Sequence, residues 1–168
     1  MSNSEKFILD ATAGFRMMWY DKHHPNAVFL DQRAECEPDV IGNYTDLKDF
    51  ADESFRLIVF DPPHLIKPES YANQSTLRRF GWLNAETWQS DMKKAFSELF
   101  RVLKPYGVLV FKWNNFSTSS TEILKLSPYP PLFYNVISRA QRKINDHSSA
   151  RAERTLWFCF MKIPSINT

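Results

Sequence analysis

The sequence predicts an open, mostly parallel, doubly wound α/β sheet in three layers, folded as a single domain over residues 1–168. Apolar runs and helix-like stretches alternate along the chain, which is the order expected of β–α–β units. The strongest apolar runs are continuous, as in strands that are covered on both faces. With 168 residues and 43% hydrophobic side chains, the chain can bury one sizeable core but has no room for a second.

The first part of the chain supplies four predicted strands, at residues 7–9, 27–30, 40–41 and 55–60. Three of them end at an aspartate, namely Asp10, Asp31 and Asp61. A turn followed by a helix over residues 15–22 is predicted after the first strand. Thr45 or Asp46 is expected to cap a short helix at residues 47–51.

The second part alternates in the same way. Apolar residues at steps of three and four predict an amphipathic helix over residues 86–103, which the sequence Lys-Pro-Tyr-Gly ends. Strands are predicted at 108–113, 132–137 and 155–163, with a short helix at 121–126. Two polar segments, 67–85 and 139–154, are too long to be ordinary connections.

Ligands bind outside the carboxyl ends of the strands in such a sheet, where Asp10, Asp31 and Asp61 would lie together. The turn after Asp10 contains Gly14, which allows a ligand to approach the backbone closely. Asp31 can accept hydrogen bonds from two ribose hydroxyls, although a surface or helix-capping role is the simpler alternative. The glycine-rich dinucleotide fingerprint is absent, so the turn alone indicates a nucleoside site only weakly.

Residues 59–65, Val-Phe-Asp-Pro-Pro-His-Leu, fix the backbone directly after a buried strand. Each proline locks φ and lacks an N–H, so the carbonyls of Asp61 and Pro62 are held in one direction without competing donors. A carboxylate beside a rigid carbonyl suits a neutral amine, such as the exocyclic amine of a nucleobase. Holding both hydrogens turns the nitrogen lone pair toward an electrophile. The ring of His64 could then stack on the base.

The charges are divided unevenly along the chain, and its cysteines and hydropathy argue against a disulfide-rich, metal-binding or membrane protein. Residues 1–66 carry twice as many acidic as basic side chains, whereas residues 67–168 carry about twice as many basic as acidic ones. This fits a small-molecule site joined to a polyanion-facing surface, or simply two solvated faces.

Cys36 and Cys159 have neither disulfide-framework nor metal-site spacing, and no metal site is predicted. The polar N-terminus and the absence of an apolar run near the ~20 residues that span a bilayer predict a cytoplasmic protein without a membrane partner.

These motifs resemble those of class I S-adenosylmethionine-dependent methyltransferases, in the subgroup that methylates amino nitrogens of nucleic-acid bases. The resemblance rests on Phe-Ile-Leu-Asp-Ala-Thr-Ala-Gly, Ala-Val-Phe-Leu-Asp, Tyr-Thr-Asp-Leu, Arg-Leu-Ile-Val-Phe-Asp-Pro-Pro-His and the run from Glu98 to Trp113. It implies a Rossmann-like fold with S-adenosylmethionine as cofactor. The target amine is then held by Asp61, Pro62, Pro63 and His64. The implied cofactor contacts come from Asp10, Ala11, Thr12 and Gly14, with Asp31 at the ribose and Asp46 at the adenine.

The chain departs from the family pattern at two places. Its glycine-rich turn is reduced to Ala13 and Gly14, and the fourth position of the catalytic motif, usually Tyr, Phe or Trp, is His64. Three roles are therefore open for His64: stacking on the base, donating to a ring nitrogen, or closing a hydrophobic wall.

Candidate substrate-binding residues follow the motif. Arg78, Arg79 and Trp82 combine cations for phosphates with an aromatic ring for bases, although a lid with solvated arginines is the alternative. Trp113 and Asn114 end the next strand and are expected to line the pocket, where Trp113 fits a core position equally well. The basic segment 139–154 could clamp a nucleic-acid backbone, or be a solvated hairpin.

The predicted function is transfer of a methyl group from S-adenosylmethionine to an exocyclic amine of a nucleic-acid base, with adenine favoured. No segment is large enough for a separate target-recognition domain, so a structured RNA, weakly discriminated DNA or a partner subunit that supplies recognition is expected. Two alternatives are a protein or small-molecule amine methyltransferase and an inactive methyltransferase-fold binding subunit.

Overall fold

The computed structural model describes residues 6–71, 81–138 and 154–164, which form a seven-stranded central sheet and a separate two-stranded pair. Across the central sheet the strands are β3 (Val40–Ile41), β2 (Ala27–Asp31), β1 (Ile8–Asp10), β4 (Phe55–Phe60), β7 (Leu103–Asn114), β9 (Arg154–Met161) and β8 (Phe133–Ser138). Neighbours from β3 to β7 pair in parallel, whereas β9 is antiparallel to both β7 and β8. β5 (Ile66–Lys67) and β6 (Leu83–Asn84) form the small parallel pair. The predicted mostly parallel, Rossmann-like α/β sheet is confirmed.

Two α-helices lie in the described part of the chain. α1 (Trp88–Val102) confirms the predicted amphipathic helix and buries one apolar stripe against the sheet. α2 (Ser120–Leu124) begins after Ser119, whose hydroxyl accepts a hydrogen bond from the Glu122 N–H at 3.2 Å. Neither helix is long and apolar enough to cross a membrane.

The larger core lies between α1 and one face of the sheet, and Phe111 of β7 is at its centre. The ring of Phe111 has five aromatic neighbours at centroid distances from 5.3 to 6.4 Å: Phe60, Phe96, Trp113, Phe158 and Phe160. Phe111 is fully buried. Dense ring packing at this position fixes β4, β7 and β9 relative to α1.

The other face is covered over β1 and β2 by residues 11–26. Trp19 packs edge-on against Phe29 with the ring centroids 4.9 Å apart, and the Arg16 guanidinium lies 4.2 Å from the same ring. Ile8, Ala13 and Ala27 complete this smaller core. A cation over an aromatic face adds electrostatic attraction to the apolar contact.

The predicted helix over residues 15–22 is wrong, because this segment is a series of turns. Arg16 has a positive φ of 55°, and its guanidinium donates to the backbone carbonyls of Lys22 and Glu37 at 2.9 and 2.8 Å. Met17 and Tyr20 remain exposed, so the segment buries no apolar stripe that would stabilise a helix.

The predicted helix at residues 47–51 is also absent, and turns occupy this position. Arg101 of α1 donates to the carbonyls of Leu47 and Phe50 at 2.9 and 3.0 Å, while the Leu47 N–H donates to Glu98 at 2.9 Å. Side chains of α1 thus satisfy backbone groups that helical hydrogen bonds would otherwise use.

Substitution of Phe111 by Ala is expected to lower the free energy of unfolding by about 3–5 kcal/mol, because it empties the centre of the larger core. Urea unfolding followed by circular dichroism measures this loss. Phe116→Ala, at a half-exposed ring, is the matched control and should change stability by about 0.5 kcal/mol or less. Equal losses in the two variants would contradict the central position of Phe111.

Candidate active site

A cavity of about 710 Å³ opens at the carboxyl ends of β1, β4 and β7. This volume is typical of small-molecule sites, which range over roughly 300–1,000 Å³. The predicted residues that line it are Asp10, Thr12, Gly14, Asp61, Pro62, Pro63, His64, Trp113 and Asn114. The structure thus brings the aspartate-proline motif and the turn after β1 to one site.

A hydrogen bond joins the ends of β1 and β4. The two strands pair in parallel, with Asp10 opposite Val59, so the same register places Thr12 beside Asp61. The Asp61 N–H donates to Thr12 Oγ1 at 2.7 Å, and the Thr12 N–H donates to Asp10 Oδ1 at 3.1 Å. Thr12 therefore positions the backbone on which the proline motif begins.

Lys112 lies on the other side of Asp61. Phe60 is opposite Phe111 in the parallel β4–β7 pair, so Lys112 comes next to Asp61. Its ammonium Nζ lies 2.6 Å from Asp61 Oδ2, and both side chains line the cavity. The ammonium also lies 5.6 Å from the ring centroid of Trp157, its cross-strand partner on β9. The Asp61 carboxylate is thus held at a fixed place by a charge-assisted hydrogen bond.

The carboxylate of Asp31 is buried and fully engaged. It does not line the cavity of about 710 Å³ but a smaller one of about 60 Å³, which shares Thr12, Arg33 and Asp61 with the larger cavity. Arg33 donates from Nε to Oδ1 at 2.9 Å and from its terminal nitrogen to Oδ2 at 3.1 Å, while the Gly14 N–H donates to Oδ2 at 2.8 Å. Burial acts to raise the pKa of Asp31, but the hydrogen bonds from Arg33 and Gly14 outweigh it and lower the pKa below its usual value. A ribose hydroxyl would have to replace one of these donors.

The carboxyl group of Asp10 has a raised pKa. Burial raises the pKa of Asp10 to about 6, and the nearby carboxylates of Asp61 and Asp31 act in the same direction. The Trp19 Nε1–H, which donates to Asp10 Oδ2 at 2.7 Å, and the Thr12 N–H limit this increase. Charge at Asp10 is therefore costly unless a cation lies nearby.

Gly81 lies directly against the Pro63 ring at the edge of the cavity. Gly81 has a positive φ of 74°, and a Cβ added there would lie 2.8 Å from Pro63 Cγ. The Leu83 N–H donates to the Leu65 carbonyl at 2.7 Å, which ties this edge to the segment after the motif. Glycine is required at this position by both conformation and space.

Several residues predicted to form the site do not line the cavity or lie outside the described residues. Asp46 is exposed, pairs with Lys48 at 3.2 Å and does not line the cavity, since the turn at residues 43–46 carries it outward. Ala11 is buried in the core, and Trp82 is partly buried outside the cavity lining. Arg78 and Arg79, and residues 139–153 of the basic segment, lie outside the described residues.

Trp113 and Asn114 reach the cavity but have structural roles as well. Trp113 is 1% exposed, and its Nε1–H donates to the Thr118 carbonyl at 3.2 Å. The Asn114 side chain donates to Thr155 Oγ1 at 3.2 Å and accepts from the Phe116 N–H at 2.9 Å. Trp113 therefore combines the two positions that the sequence left open, the core and the pocket wall.

Sequence reasoning missed Lys112, Arg33 and Gly81, all of which line the cavity. Lys112 had a detectable signal, because it is the one charged residue of the predicted strand 108–113. Arg33 follows Asp31 by two residues, which suits a local ion pair. Nothing in the sequence places Gly81 against Pro63, since that contact depends on the return of a distant segment.

No protein-family model and no curated protein sequence matches the chain. Solved structures with the same fold include a SAM-dependent methyltransferase from Methanosarcina mazei, 13% identical over 96% of this chain and 95% of that chain, with a TM-score of 0.56. The 16S rRNA (adenine(1408)-N(1))-methyltransferase from Catenulisporales acidiphilia is 10% identical over 99% and 89%, with a TM-score of 0.58. The 1,6-didemethyltoxoflavin-N1-methyltransferase from Burkholderia thailandensis is 10% identical over 94% and 71%, with a TM-score of 0.60. The chain shares its fold with these methyltransferases.

The ionisation of Asp10 predicts a specific pH dependence of stability. Because the folded pKa of about 6 lies above the ordinary 3.8, folding favours the protonated carboxyl. Its stabilising effect is complete below about pH 4 and is lost as the pH rises through 6. Relative to Asp10→Asn, the native protein should therefore lose about 2 kcal/mol of unfolding free energy between pH 4 and 7.

Urea unfolding of both proteins at several pH values measures this difference. Comparison of the two proteins cancels the opposite pH dependence of carboxylates with lowered pKa values, such as Asp31 and Asp39. A stability difference that is constant from pH 4 to 7 would contradict the raised pKa of Asp10.

Proposed function

We propose that the protein is an S-adenosylmethionine-dependent methyltransferase that acts on an exocyclic amine of a nucleic-acid base, with adenine favoured. The observation that carries this proposal is the placement of Asp61 and the two rigid prolines at the wall of a cavity that also contains the turn after β1. The fold that the chain shares with methyltransferases supports methyl transfer as the reaction. The excess of basic residues in 67–168 supports a nucleic acid as the substrate.

The donor set of the cavity fits S-adenosylmethionine. Arg33 and Lys112 pair with Asp31 and Asp61, so Asp10 is the carboxyl group of the three that favours a ligand carrying positive charge, and Gly14 lines the same cavity. Asp10 would hold the ammonium of the methionine part, and Asp31 the ribose. Thr12 and Gly14, whose N–H groups donate to these two carboxyl groups at 3.1 and 2.8 Å, would keep both acceptors in position. When bound, the cofactor supplies a methyl group attached to a positively charged sulfur.

Asp61 and the Pro62 carbonyl are proposed to hold the two hydrogens of the target amine. Both groups are acceptors, and Pro62 and Pro63 contribute no N–H that could compete for them. The orientation turns the nitrogen lone pair toward the methyl carbon. With the amine held in this way, the nitrogen–carbon bond would form as the sulfur–carbon bond of the bound cofactor broke, and the amine would then release one proton to water.

The proposal predicts that Asp61→Ala abolishes methyl transfer, with a loss of at least about a hundredfold, while cofactor binding is retained. The substitution removes an amine acceptor but leaves Asp10, Gly14 and Asp31 in place. Asp49→Ala, at an exposed position outside the cavity, is the control and should keep full activity.

The measurement uses labelled S-adenosylmethionine with separate pools of DNA, RNA, peptides and small amines. Mass spectrometry then identifies the modified nucleoside, and calorimetry follows cofactor binding. Transfer to a base that depends on Asp61 supports the proposal. Full activity of Asp61→Ala, or transfer only to peptides or small amines, would overturn it.

A further inference from the structure

We propose that Lys112 and Asp61 act together as a base-recognition pair, a specificity element that rests on the proposed function. In this pair the Asp61 carboxylate accepts a hydrogen bond from the exocyclic amine, and the Lys112 ammonium donates one to the ring nitrogen beside that amine. The substrate class is therefore any base edge in which an amine and an unprotonated ring nitrogen are attached to the same carbon.

The spacing of the two groups matches such an edge. Lys112 Nζ and Asp61 Oδ2 are 2.6 Å apart at the cavity wall. The amine and the ring nitrogen of an aminopyrimidine are similarly close, because one carbon joins them. Two roughly parallel hydrogen bonds can therefore form, one accepted by the protein and one donated by it.

The structure holds both groups in place while leaving them accessible. The Asp61 backbone is tied to Thr12 Oγ1 at 2.7 Å, and the Lys112 ammonium lies over the Trp157 ring. The side chains of Lys112 and Asp61 are nevertheless 30% and 24% exposed. A ligand in the cavity can reach them without displacing core residues.

The pair favours nucleobases over alkyl amines. Adenine and cytosine both carry an amine next to an unprotonated ring nitrogen, as does the amine edge of guanine. An alkyl amine is protonated at neutral pH, lacks the adjacent acceptor and would be repelled by the Lys112 ammonium. A glutamine amide offers a similar edge, so a glutamine-containing peptide is the competing substrate in the test.

The test compares oligonucleotides that differ by one ring nitrogen: adenine against 1-deazaadenine, and cytosine against 3-deazacytosine. 7-Deazaadenine, which keeps the nitrogen next to the amine-bearing carbon, is the control substrate and should be methylated like adenine. For the native protein, loss of the contacted nitrogen should lower kcat/KM by about tenfold to a hundredfold, as expected for a hydrogen bond from a charged donor. In Lys112→Met, normal and deaza substrates should be methylated at equal, reduced rates. Lys112→Arg keeps a cationic donor and should restore the discrimination.

Lys125→Met is the matched control, since Lys125 of the α2 region pairs with Glu122 outside the cavity, and it should discriminate like the native protein. Thermal unfolding of all variants identifies losses of activity that come from misfolding. If Lys112→Met misfolds, the Lys112→Arg variant decides whether discrimination depends on a cationic donor.

If Lys112→Met discriminates as strongly as the native protein, the pairing only orients Asp61 and the inference is overturned. Preference for the glutamine peptide overturns it as well. Absence of transfer to any base overturns the proposed function, whereas transfer without discrimination overturns this inference alone.

Discussion

The hydrogen bond from the Asp61 N–H to Thr12 Oγ1 joins the two halves of the site. It connects the turn after β1, which would bind the cofactor, with the proline motif after β4, which would bind the amine. The parallel register that places Asp10 beside Val59 brings the two residues together, so the link follows from strand pairing. A methyl donor and acceptor must be held within contact distance. The β1–β4 pairing sets the spacing of the walls that would hold them, and this bond extends that pairing to Asp61.

The electrostatics of the cavity depend on how three neighbouring carboxyl groups are balanced. Arg33 neutralises Asp31, and Lys112 neutralises Asp61. Asp10 has no cation within ion-pair distance among the described residues, and its pKa rises to about 6. A positively charged ligand beside Asp10 would stabilise the ionised form of this carboxyl, so the site is suited to a cation.

The sequence predicted the sheet well because its signals are local. Continuous apolar runs identified β4 and β7, and the spacing of Met92, Phe96 and Leu99 identified α1. The two wrong helices have different causes. Residues 15–22 are bent by the positive φ of Arg16 and by its bond to the Lys22 carbonyl, whereas the backbone at residues 47–50 is bound by Arg101 of the distant α1. Such long-range contacts leave no periodic trace in the sequence.

The site residues divide in the same way, into those with a local sequence signal and those whose position depends on contacts between distant segments. Asp10, Asp31 and Asp61 were found because each ends a strand, and strand ends meet at one edge of a parallel sheet. Lys112 required the register of β4 against β7, and Gly81 required the path of a distant segment past Pro63. Asp46 was displaced from the cavity by the turn that precedes it, whose direction is not set by residue type.

Calorimetric titration with S-adenosylhomocysteine, the demethylated cofactor, tests most directly whether the cavity beside Asp10 and Asp31 is the cofactor site. The expected result is one molecule bound per chain, with binding greatly weakened in Asp31→Ala because the ribose would lose its acceptor. No binding by the native protein, or equal binding by Asp31→Ala, would contradict this assignment.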